Sequence, residues 1–356
     1  MKLKAFITGL DADRKYPEFS KCGYTHHTFM GSIYKYGDLI YSDLESADII
    51  CIFVTFLGDD CIFDEATAEL ISKTNKPIVI FDYTEYGTHN GRNRINEYNL
   101  FGYQLEFNDL NIYNYSSKMH RFLSDNHKLI MCYFKRELGT AVDLTKVPFK
   151  VYPLEFIADE YTTKVAVDTK DQYYDRKCIY NFVWGFSNFY RPHLNGSFLL
   201  NMEKFNCKFA LSHKQTTYML NESTDKFIFI ANHDWRERVD LNLINSKSMM
   251  ILDLYGCGLK CFRNVESSKN SLSVKQDPNQ LKYTYEWKDG YNCISLPVND
   301  DVSLNIDKSI KTLLDYRHDK HYLLYDMYLN SVEINKLYAP SHYVQNHLIK
   351  NIKSAI

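Results

Sequence analysis

Between Tyr255 and Ser271 the chain reads YGCGLKCFRNVESSKNS, and the residue types in that stretch could hold a phosphorylated ligand. Gly256 and Gly258 let backbone N–H groups come close to an anion, and Lys260 and Arg263 bring positive charge to a diphosphate. Glu266 can accept from the two hydroxyls of a ribose. The stretch follows an apolar run, Met249 to Leu254, that reads as a buried strand. Open α/β sheets bind their ligands just beyond the carboxyl ends of such strands. The combination describes a nucleotide-sugar site.

The elements that must position these residues repeat along the chain. Leu3 to Thr8, Asp48 to Thr55 and Pro77 to Phe81 are apolar runs, with helical spacing at Phe63 to Lys73, which predicts parallel strands joined by right-handed crossovers. Strands are expected again at Leu129 to Phe134 and Phe149 to Pro153. After a polar passage from Asp159 to Lys177, which reads as a linker, they follow at Ile179 to Trp184, Cys207 to Leu211, Phe227 to Ala231, Met249 to Leu254 and Cys293 to Leu296. A helix is expected over Pro192 to Lys204, and two or three helices broken near Pro340 over Asp307 to Ile356. The segment from Tyr83 to Lys128 is long enough for a functional insertion. The predicted class is α/β, with two Rossmann-like domains facing a cleft and C-terminal helices. The expected divisions are 1–160, 175–335, and a terminal helix over 336–356 that packs back on the first domain.

Composition narrows the function. With 356 residues, 45% apolar and 24% charged, the chain has the balance of a soluble globular protein and the length of two domains. A net charge of −2 provides no global field for nonspecific nucleic-acid binding. The nine Cys occur without the close pairs of a zinc ribbon or redox motif and read as reduced core thiols in a cytoplasmic protein. No run approaches the length of a membrane span, so none is expected.

The second half resembles the donor domain of GT-B fold glycosyltransferases. The resemblance rests on Trp184-Gly185 through Arg191, on Gly256-Cys-Gly-Leu-Lys-Cys-Phe-Arg263 with Glu266, and on WKDGYNCISL from Trp287 to Leu296. It covers about the last 180 residues, while the first half matches by topology and by KPIVIFDYTE from Lys76 to Glu85. The resemblance implies that Glu266 grips the ribose and that Lys260 and Arg263 neutralise the leaving diphosphate, with Asn270 and Ser271 capping or contacting the donor. It implies a nucleotide-sugar co-substrate, a UDP-sugar by preference, and no metal. The family's Glu-x7-Glu spacing is absent because position 258 holds Gly258, which leaves retaining and inverting chemistry both open.

An inverting enzyme needs a base for the acceptor hydroxyl, and the first domain should supply it. Asp82 and Glu85, which follow a strand at its carboxyl end, are the candidates, with His26 and His27 behind them. Lys135 and Arg136 close another strand and would meet acceptor or diphosphate. Asp11 and Asp13 read as capping or solvent-facing groups, Trp235 with Arg236 and Arg238 as a covered core edge, and Tyr283, Tyr285 and Trp287 as packing. The acceptor is open. Size and plan also recommend phage DNA glucosyltransferases, which would make it a hydroxymethylated pyrimidine in DNA and the compartment a host cytoplasm. A noncatalytic nucleotide or glycan sensor of the same fold remains an alternative. So does a deoxyribosyltransferase-like first domain, hinted at by DEATAE from Asp64 to Glu69.

Overall fold

The computed structural model describes residues 2–9, 33, 35–54, 65–82, 122–123, 125–140, 144–155, 166–184, 190–232, 241–254, 270–300 and 303–356. Two six-stranded sheets, every strand parallel to its neighbours, follow one another along the chain. The expected pair of Rossmann-like domains with C-terminal helices, the plan of the GT-B class, is present.

The first sheet contains β1 (Leu3–Gly9), β2 (Leu39–Tyr41), β3 (Ile49–Val54), β4 (Ile78–Asp82), β5 (Ile130–Lys135) and β6 (Lys150–Pro153), in the order β2-β1-β3-β4-β5-β6. Its strands are apolar on both faces because both are covered. Side chains alternate accordingly. Ile49, Cys51, Phe53, Val79 and Phe81 face one layer, while Ile50, Ile52, Ile78 and Ile80 face the other, against α1 (Glu65–Ser72) at Ile71.

The second sheet contains β7 (Cys178–Trp184), β8 (Lys208–Ala210), β9 (Phe227–Asn232), β10 (Ser248–Asp253), β11 (Leu272–Gln276) and β12 (Cys293–Leu296), in the order β12-β11-β10-β7-β9-β8. A helix, α2 (Lys170–Asp175), opens this half inside the passage expected to be linker. Thr169 and Gln172 form a reciprocal capping box there, which offsets the polar composition of KDQYYD. The helix expected over Pro192 to Lys204 is divided at Asn201 into α3 (Tyr190–Leu200) and α4 (Met202–Phe205). Next come α5 (His213–Asn221), α6 (Leu241–Ser246), α7 (Ile306–His318) and α8 (Leu324–Leu337), and Leu313, Met327 and Tyr328 from the last two enter the second core.

From Pro340 to Ala355 the chain is helical throughout, with α-helical ends around a π-helical turn at Val344–Ile349. This segment packs on the first sheet, where Tyr343, Val344, Leu348, Ile349 and Ile352 join the cluster of β1, β3, β4 and β5. Among the described residues no helix is long and apolar enough to cross a membrane.

Candidate active site

Each sheet has a point where its strand order reverses, and the loops leaving neighbouring strands diverge there to open a crevice at the carboxyl edge. In the first sheet the reversal lies between β1 and β3, and in the second between β7 and β10. β7 and β10 are hydrogen-bonded neighbours, with Met250 opposite Tyr180 and Ile251 opposite Asn181. β7 ends at Trp184 and β10 at Asp253, so the Trp184-Gly185 and Tyr255 to Ser271 stretches both depart from this point. Gly256, Gly258, Lys260, Arg263 and Glu266 lie outside the described residues, as does Glu85 beyond β4. Their points of departure are described.

At the end of β10 Asp253 is buried, and its Oδ2 accepts from the Lys275 Nζ at 2.6 Å. Lys275 is the register partner of Asp253 on β11 and is 2% exposed. Its ammonium also stands 4.1 Å from the centre of the Trp287 ring. β11 reads LSVKQ and gave no apolar signal in sequence, yet all five residues are buried. A cross-strand ion pair is what lets a lysine occupy the interior there.

The first domain carries a matching arrangement. Asp82 ends β4 and receives the Lys135 Nζ at 3.0 Å from its register partner on β5, and the Tyr133 hydroxyl donates a short hydrogen bond to the same Oδ2. All three side chains are buried. Asp82, named from the sequence as a candidate base, therefore presents an oxygen already bound by a phenol and an ammonium. Lys135 is held by Asp82, and Arg136 packs against Glu137 with Nη2 to Oε1 at 3.2 Å, both of them buried. Neither cation stands on an open surface.

Asn270 and Ser271 fall at the other end of the second sheet. They enter β11 at its amino-terminal end, roughly 13 Å of strand away from Lys275. The Ser271 hydroxyl reaches the Asn245 and Ser248 carbonyls at 2.6 and 2.7 Å. Arg176 organises this edge. Its Nη1 donates to the Ser248 carbonyl at 2.6 Å and to the Asn270 carbonyl, its Nε pairs with Asp168 at 2.9 Å, and the rings of Tyr173 and Tyr328 cover it. Asn270 and Ser271, expected to cap or contact the donor, here tie β10, β11 and α2 together.

Between the domains the chain builds a joint that the sequence did not reveal. Leu138 to Thr140 pairs antiparallel with Gln280 to Lys282: the Lys282 N–H donates to the Leu138 carbonyl at 2.7 Å and the Thr140 N–H to the Gln280 carbonyl at 3.1 Å. Beside this stitch the buried Glu155 accepts the Thr284 N–H at 3.1 Å, and the Tyr343 hydroxyl accepts the Glu155 N–H at 2.9 Å. Burial, and then the Glu155 charge, push the Tyr338 and Tyr343 phenols well above their usual range. Tyr285 and Trp287 pack here, as expected, though the cluster they join belongs to the first domain. Among the described residues no group of three or more His, Cys, Asp or Glu side chains could hold a metal ion.

One signal for the two ion pairs was readable. β4 and β10 are apolar runs that both end in Asp, IVIFD and SMMILD, and a buried parallel strand has no reason of packing to end that way.

No protein-family model matches the chain, and no curated protein matches it. Among solved structures it is similar to an alpha-glucosyltransferase in complex with UDP-glucose and DNA containing an abasic site, 11% identical over 98% of each chain with a TM-score of 0.47. It is similar to Anabaena HepE in complex with UDP and glucose, 9% identical over 99% of this chain and 100% of that one, TM-score 0.45. It is similar also to OtsA, 10% identical over 96% of this chain and 80% of that one, TM-score 0.45. At such scores the likeness adds nothing to the topology, and the twin parallel sheets themselves carry the assignment of architecture.

Proposed function

We propose that the chain is a glycosyltransferase that moves a sugar from a nucleotide-sugar donor, a UDP-sugar by preference, to an acceptor hydroxyl without a metal ion. One observation supports this most: the reversal of strand order between β7 and β10 brings the departures of Trp184-Gly185 and of the Tyr255 to Ser271 stretch to one crevice edge. A diphosphate bound there meets Lys260 and Arg263 in sequence reach, and Glu266 takes the ribose.

In the reaction the bond between the anomeric carbon and the diphosphate oxygen breaks, the acceptor oxygen forms a new bond to that carbon, and its proton passes to a base. Negative charge grows on the departing diphosphate, so preorganised cations at that position lower the barrier most. With Asp82 held by Tyr133 and Lys135, we assign the base role to Glu85. The first domain presents the acceptor, and exclusion of water favours transfer over hydrolysis.

Thermal stabilisation by nucleoside diphosphates and nucleotide sugars tests the donor site, comparing wild type with Glu266→Ala and Arg263→Ala. Ligand at a hundred times its dissociation constant should add about 2.7 kcal/mol, a shift of a few degrees, and both substitutions should abolish it. A shift that survives both, or none with any nucleotide, would sink the assignment. Sugar transfer to duplexes carrying hydroxymethylated pyrimidine, weakening steeply with salt, would identify DNA as acceptor. Binding with no transfer to any acceptor would indicate a sensor.

A further inference from the structure

We propose that Asp253–Lys275 and Asp82–Lys135 are matched positioning pairs, each fixing the direction in which the chain leaves the carboxyl edge of its sheet. The proposal rests on the donor-site reading for its catalytic consequence and on geometry for the rest.

The two pairs coincide in every respect that topology can specify. Each joins the fourth strand of its domain to the fifth, and each uses the last residue of the fourth strand. In each, the lysine is the register partner of the aspartate. All four side chains are buried. The residue after each aspartate begins a segment in which the sequence places chemistry: Glu85 after Asp82, and Gly256 to Glu266 after Asp253.

Stability is a poor explanation for such a pair. Two charges removed from water recover little beyond their desolvation cost, and apolar residues of similar volume often serve as well or better. The rest of β4 and β10 shows that these strands accept apolar residues readily, since Ile78, Val79, Ile80 and Phe81 are all buried, as are Met249 to Leu252. What an ion pair adds is direction. A short contact between register partners pins the final rung of the ladder, where apolar side chains could slide.

The surroundings couple both pairs to the interdomain joint. Lys275 lies against Trp287, which belongs to the cluster formed by the first sheet and the C-terminal segment. On the other side, the Lys135 carbonyl accepts the Leu154 N–H at 2.8 Å, and the next residue, Glu155, binds Thr284. Both departures are thus referred to one frame. These residues act through others and touch no substrate, so they are positioning residues.

The test uses Lys275→Met, Asp253→Asn, and the double substitution Asp253→Leu with Lys275→Met, which removes both charges of the pair together. Asp168→Asn, in the ion pair at the opposite edge, is the control. Hydrogen exchange over 254–266 is measured first, with no ligand present. Faster exchange there in all three variants, and not in Asp168→Asn, is expected. For transfer, the donor KM should rise between about tenfold and a hundredfold with a smaller change in kcat, even where the double substitution restores the melting temperature. Unchanged exchange together with recovery of the donor KM in the double variant would overturn the proposal and leave an ordinary structural ion pair. A wild type that binds no nucleotide would remove the donor reading, and the exchange result would still decide the positioning role.

Discussion

The first sheet is covered on one face by Tyr343, Val344, Leu348, Ile349 and Ile352, residues that the entire second domain separates from it in sequence. The main core of the second sheet is drawn from Tyr173 through Val332 and needs nothing from either end of the chain. Two domains of one architecture thus differ in autonomy. The second can close its core once about 160 residues are present, whereas the first waits for the last turn of the chain. Contacts of such long range carry a high closure cost before they return any stability.

Removing 338–356 should have the largest effect. The first domain loses Tyr338, Tyr343, Val344, Leu348, Ile349 and Ile352 from the cluster on one face of its sheet, so its cooperative unfolding transition should vanish, while the second domain keeps its own. Calorimetry with hydrogen exchange on β3, β4, β10 and β11 measures both, and retained protection of β3 and β4 in the shortened chain would break the comparison.

Alkali should act next, and on both domains. Burial pushes the thiols of Cys51, Cys178 and Cys293 up to about 12 from 9.0, so the folded state keeps protons that the unfolded state has released. Their stabilising contribution is complete below pH 9 and is lost as pH rises toward 12, each group removing up to about 1.4 kcal/mol per pH unit. Raised phenols add to the slope, Tyr338 and Tyr343 in the first core and Tyr173 and Tyr180 in the second. Denaturant midpoints from pH 8 to 11 should fall for both transitions. In Tyr343→Phe the slope should become shallower for the first domain alone, and an equal change in both would show that the cores titrate as one.

The smallest test is a matched pair of truncations. Leu348→Ala and Leu313→Ala each empty a fully buried site and should cost about 2 to 5 kcal/mol. The first should lower only the first domain's midpoint and the second only the other's. Cross-talk between them would measure the strength of the joint.

Much of this architecture was legible before the structure, for a physical reason. Parallel strands buried on both faces must be apolar throughout, so IICIFV, IVIFD and SMMILD stand out against polar connections. β2 and β11 did not stand out. β2 has only three residues, two of them exposed, and β11 buries Ser273, Lys275 and Gln276 by giving them partners or enclosure that no local pattern encodes. The helices over 340–355 were expected from their spacing, but spacing shows that a face will be covered and not which sheet covers it. The Asn270 and Ser271 assignment placed a strand entry at the wrong end of the sheet, because β11 itself was unseen. Asp82 looked available for catalysis for a related reason: its partners Tyr133 and Lys135 are distant in sequence and adjacent only by register.

The joint between Leu138 to Thr140 and Gln280 to Lys282 is built largely on main-chain atoms, with the Thr140 hydroxyl adding a hydrogen bond to the Asn279 carbonyl at 3.0 Å. Its main-chain part does not depend on which side chains its residues carry, so either domain can change exposed residues nearby without unmaking it. Proline at Thr140 or Lys282 would delete a main-chain donor. The attachment of one domain to the other at this point is therefore held mainly by the backbone, and side-chain changes elsewhere on either domain leave it standing.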